Sequence, residues 1–116
     1  MDNNTKKWLY DISVTIDRID AIFGDRPKRY ADFVKDFRTK MAVERGIEII
    51  GEATNRILKE NPTIKITNAR KIVDTRNSII HGYDKIEDET IWGIVIKHLP
   101  VLKSEVEQLL SENSKT

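Results

Sequence analysis

Four side chains that could do chemistry share one short stretch, TRNSIIHGYDK at 75–85: Arg76, Asn77, His81 and Tyr83. An arginine is always charged, and its planar donors match a phosphate or the phosphorane that develops when phosphorus is attacked. A histidine titrates near neutrality and can move protons. An asparagine can position a substrate oxygen or hold an imidazole in one tautomer. Arg76, His81 and a supporting Asn77 together suit RNA cleavage without a metal. The ribose 2'-hydroxyl would attack the adjacent phosphate while His81 handles a proton and Arg76 steadies the charge. Competing chemistries have no signature here. There is no glycine-rich phosphate loop, no serine-histidine-aspartate pattern and no histidine-carboxylate cluster of metal-ligand spacing, and His98 stands alone further along.

Each of these residues also has a plainer reading. On a helical wheel at about 100° per residue, Arg76 falls near the middle of the apolar stripe made by Ala69, Ile72, Val73, Ile79 and Ile80. An arginine buried without a partner costs on the order of 3–5 kcal/mol. A carboxylate such as Glu48 or Glu52 on the preceding helix is therefore an equally good destination for it. His81, about 140° from Arg76 on the same wheel, could pack or cap a helix end, and Tyr83 could plug the end of a bundle. The basic residues Arg70, Lys71 and Lys85, with Lys28 and Arg29, could track an RNA backbone or be ordinary surface. One helix supplies only one Arg76 and one His81, so a two-fold dimer with these helices face to face would double the set and enclose a groove.

The elements that must position these residues are helical. Trp8, Leu9, Ile12, Ile16, Ile19 and Phe23 recur every three or four residues and predict a helix over 4–23, ended by Gly24. A short helix is expected from Pro27 to Phe37, with Tyr30, Phe33, Val34 and Phe37 as its apolar side. Over 38–60, Ala42, Val43, Gly46, Ile50, Ala53 and Ile57 share one face, and Glu44, Arg45, Glu48, Glu52 and Arg56 read as a solvated face opposite. Gly46 and Ala53 mark where a neighbour could come close. The helix carrying Arg76 is expected from Thr67 or Asn68, as N-cap, to His81, with Gly82 as its C-terminal stop. The last runs from Glu87 to Ser111, kinked or split by Pro100. Residues 111–116 read as a frayed tail. The sum is one all-α domain over 1–116, an antiparallel bundle of four to five helices.

Composition fits that class and narrows the rest. The chain has 116 residues, 34% of them charged, yet its formal net charge is only +1, so bulk electrostatics favour neither nucleic acid nor membrane. With no cysteine, disulfides and thiolate metal sites are out. The opening MDNNTKKWLY lacks an apolar leader and no stretch approaches membrane-spanning length, so a cytoplasmic protein is expected.

RNSIIHGY also resembles the arginine, polar residue, spacer, histidine motif of HEPN-domain proteins, in the extended form that ends in tyrosine in HepT-like toxins. AVERGIEIIGEATNRI and IWGIVIKHLPVLKSEVEQLL are similar to the same family, so the resemblance covers most of the chain. It implies a dimeric all-α bundle acting as a metal-independent endoribonuclease with no cofactor, the toxin of a type VII-like toxin-antitoxin pair. Arg76 and His81 would be its catalytic pair and Asn77 their companion. The family's antitoxin is a minimal nucleotidyltransferase that transfers AMP to the motif tyrosine, here Tyr83, and silences the toxin. A different reading is a non-catalytic helical subunit that docks a nucleotidyltransferase and assists nucleotide or substrate binding.

Overall fold

The computed structural model describes residues 1–81 and 88–113. Its helices are α1 (Asn3–Phe23), α2 (Tyr30–Lys35), α3 (Phe37–Glu60), α4 (Ala69–His81), α5 (Asp88–Gly93) and α6 (Leu99–Asn113), with a π-helical turn, Ile94–His98, joining the last two. Counting that interrupted rod once gives five helices, and there is no strand among the described residues. α3 is the hub. It packs against α1 on one side and α4 on the other, while α6 lies along α1. Ile12, Ile16 and Ile19 from α1, Ile47, Ile50 and Ile57 from α3, Ile72 from α4 and Leu102 and Val106 from α6 bury together. Gly46 is a true close approach: a Cβ there would lie 2.6 Å from the Ile19 side chain.

The short second helix differs from expectation. It starts at Tyr30, not Pro27, and Phe37 belongs to the next helix. Two local devices explain this. Arg26 donates to the carbonyls of Ile22 and Phe23, closing the end of α1, and Arg29 remains extended. Asp36 then caps α3, its carboxylate accepting from the Arg38 and Thr39 N–H groups and from the Thr39 hydroxyl. Those bonds, the hydroxyl's first, hold the Asp36 carboxyl below its usual value. Of this segment's apolar residues only Phe33 is buried, and Phe37 is 71% exposed. Trp92 anchors α2 instead, its ring centroid 5.2 Å from Phe33 and 6.0 Å from both Phe23 and Tyr30. Ala42, expected on the buried face of α3, is exposed.

Proline shapes the last rod as foreseen, but through a change of register. Pro100 cannot donate to a carbonyl one turn back, and just before it the helix widens so that Leu99 N–H bonds Ile94 C=O. Helix α6 continues to Asn113, so the tail expected over 111–116 is helical for its first three residues. At the entry to α4, Thr67 and Asn68 do not cap with their side chains. Thr67 gives its N–H and hydroxyl to the Glu105 carboxylate, and Asn68, with φ 61°, sets its amide 3.2 Å from His98 Nδ1. No helix among the described residues is long and apolar enough to cross a membrane.

With the Asn68 amide N–H donating, His98 Nδ1 must accept, an arrangement that favours the neutral ring. Burial pushes His98 below its ordinary 6.5, and Lys71 and Lys97 act in the same direction. The folded chain therefore binds this proton less well than the unfolded chain. Its contribution to stability is complete above pH 6.5 and declines as pH falls below that. The expected NMR titration of the His98 ring has a midpoint below 6.5, and a midpoint above it would contradict the contact.

Candidate active-site groove

Helix α4 can bring Arg76 to α3 only because Gly51 lies beneath it. A Cβ at residue 51 would sit 2.3 Å from Arg76 Cβ, 2.7 Å from its Cγ and 3.3 Å from the Ile72 carbonyl oxygen. From this seat the guanidinium projects along α3. It pairs with Glu52 through Nη2 and donates from Nη1 to Asn77 Oδ1 at 2.7 Å. The partner foreseen as one of two acids is thus Glu52, while Glu48 pairs with Arg45. The arginine is not sealed by this pairing. Its side chain is 20% exposed, at the wall of an open groove of about 290 Å³ between α1, α3 and α4.

Arg45 and Arg56 are exposed, as expected of a solvated face, and with the half-buried Glu48 and Glu52 they line the groove together with Lys7, Trp8 and Asp11 of α1. Its charges stand in pairs: Lys7 with Asp11, Arg45 with Glu48, Arg56 with Glu52, each at 3.0 Å. Glu52 serves both Arg56 and Arg76. Ile80, expected in the buried stripe, is 45% exposed and also lines the groove.

Arg76 and Asn77 are therefore brought together, with the asparagine holding the guanidinium. His81 is the exposed last residue of α4, one position beyond Ile80, and is not part of the groove wall. Gly82, Tyr83 and Lys85 lie outside the described residues. Arg70 and Lys71 are exposed near the start of α4, away from the groove, and Lys71 instead neighbours His98. Lys28 is tied to Asp20 at 2.9 Å. Among the described residues there is no group of three acidic, histidine or cysteine side chains placed to hold a metal ion.

An all-helical bundle with an arginine at a charged groove, on a helix ending in histidine, is HEPN-like. Residues 12–109 match the model of the Ribonuclease HepT-like family, and the chain belongs to that family. It is 32% identical over 113 residues to "Probable ribonuclease HepT" of Thermococcus cleftensis, covering 94% of this chain and 98% of that one. It is 34% identical over 106 residues to a "Putative RNase" of Methanocaldococcus jannaschii, covering 90% and 94% respectively. A "Putative RNase" of Caldanaerobacter subterraneus is 30% identical, covering 90% of this chain and 88% of its own. No solved structure matches the chain.

Gly51→Ala tests the seat. The clash is with atoms next to the α4 backbone, so a side-chain rotation cannot relieve it, and a loss of about 1–3 kcal/mol is expected in denaturant unfolding. An unchanged midpoint would mean that α4 does not approach α3 this closely.

Proposed function

We propose that this chain is a metal-independent endoribonuclease, the toxin of a pair whose antitoxin is a minimal nucleotidyltransferase. The observation that carries the reading is the Arg76 guanidinium: fixed by Glu52 and Asn77, yet open to a groove, in a member of a ribonuclease family. In this reading a phosphodiester meets Arg76, and the 2'-oxygen attacks phosphorus to form a 2',3'-cyclic phosphate as the 5'-oxygen leaves with a proton. His81 handles protons and Arg76 neutralises the extra negative charge on the phosphorane oxygens. Asn77 acts through Arg76, keeping the guanidinium plane oriented. His81 at the end of α4 reaches a substrate that extends beyond the groove, or meets the site of a second chain. A homodimer with paired α4 helices supplies two copies of each group. AMP placed on Tyr83 by the antitoxin would bring a phosphate anion and an adenosine to the rim, competing with RNA for Arg76.

The purified chain is expected to cut single-stranded RNA in the presence of EDTA, and Arg76→Ala and His81→Ala to abolish the cutting while leaving the circular dichroism spectrum unchanged. Intact RNA with the wild type, and no slowing of growth on expression, would favour the non-catalytic docking subunit. Light scattering should report twice 13.5 kDa. A monomer at micromolar concentration would remove the composite site. After co-expression with the nucleotidyltransferase, the peptide containing Tyr83 should gain the mass of an AMP moiety. An unmodified peptide from an inactive complex would point to occlusion instead.

A further inference from the structure

The Glu52 carboxylate holds two arginines at once. Its Oε1 accepts from Arg56 Nε at 3.0 Å and its Oε2 accepts from Arg76 Nη2. Two oxygens sharing one negative charge, each facing a separate guanidinium, is also what the non-bridging oxygens of a phosphodiester present. We propose that Arg56 and Arg76 form the seat of one backbone phosphodiester of single-stranded RNA, and that Glu52 occupies this seat until the strand displaces it. The proposal rests on the ribonuclease reading and adds to it a substrate-binding residue, Arg56, and an internal competitor, Glu52.

The energetics favour exchange. Arg56 and Glu52 are an (i, i+4) pair on α3 with side chains 56% and 38% exposed. Such pairs are worth about 0.3–0.5 kcal/mol, so little holds them closed. Arg76 is better buried and needs an anion. Replacing one monoanion by another leaves it paired throughout, while the released carboxylate turns to water. Asn77 Oδ1 keeps its bond to Nη1 during the exchange, so the guanidinium stays oriented while Nη2 changes partner. Arg45 and Lys7 line the same groove, each in an exposed local pair, and neighbouring phosphates can be met by the same trade. The near-neutral groove is thus compatible with a polyanion, because its carboxylates are mobile competitors and its arginines remain.

The test is fluorescence anisotropy with a labelled 2'-O-methyl single-stranded RNA oligonucleotide, which lacks the nucleophile and stays intact on the wild-type protein. Arg56→Gln should weaken binding about tenfold or more. It should also lower the slope of log affinity against log salt by about 0.7, the value of one lost phosphate contact. Lys97→Gln, a charge-matched change on the π-helical turn away from the groove, should leave both quantities at wild-type values. Glu52→Gln removes the competitor's charge and should tighten binding several-fold. Arg56→Gln indistinguishable from Lys97→Gln would overturn the seat, as would a folded Glu52→Gln that binds more weakly. Should Glu52→Gln fail to fold, the exposed Arg56 variant decides alone. Cleavage of unmodified RNA with an unchanged Arg56→Gln affinity would sink this inference and leave the ribonuclease reading intact. A wild type that neither binds nor cuts RNA would sink both.

Discussion

The close packing of α4 on α3 at Gly51 is the constraint from which the site follows. A glycine inside an α-helix costs up to about 1 kcal/mol relative to alanine. Here it removes the one atom that would hold the two helices apart, and the Arg76 side chain lies directly over it. With its stem fixed there, the guanidinium has a restricted reach, and Glu52 on the next residue of α3 is its partner. Backbone geometry at one position thereby sets the location of a charge, its counter-charge and the wall of the groove.

Charge in the groove is balanced locally. Each cation has an acidic neighbour, mostly one turn away on its own helix, so a formal net charge of +1 for the whole chain hides a basic row that is neutralised side by side. Exposed pairs of this kind contribute little to stability. Their arrangement matters more for what they leave available. A polyanion gains several cations at once and releases carboxylates into water, while the bundle beneath is held by its apolar core.

Much of the fold is legible in the helical periodicity, because the core of a small bundle imposes its spacing on every helix. The stripes of α1, α3 and α6 appear in the order expected, and Pro100 marks a real break in register. The misplaced start of α2 traces to polar details that periodicity ignores: Arg26 closing α1 and Asp36 opening α3. The site is legible in part. A wheel places Arg76 on the wrong face for a charge, which is the signal that it needs a partner. The same wheel assigns Arg45, Glu48, Glu52 and Arg56 to solvent, which holds for the two exposed arginines, but one helix's periodicity does not say that α1 and α4 flank that face. Gly51 could have been noticed as a second mid-helix glycine, seated beside an acid, with no other reason to be there. Tyr83 and Lys85 lie outside the described residues; the role of Tyr83 rests on the motif and that of Lys85 on its charge alone.

The central claim is that a paired arginine remains open to phosphate. The side-chain Nε–H resonance of Arg76 reports this directly in a ¹H–¹⁵N correlation spectrum recorded while a nuclease-resistant RNA dinucleotide is added. A saturable shift of that resonance is expected, with Arg56 following and Arg18, an exposed residue of α1 outside the groove lining, unmoved. An Arg76 signal that stays in place as the ligand saturates elsewhere on the protein would mean that Glu52 and Arg76 are simply a strut of the bundle.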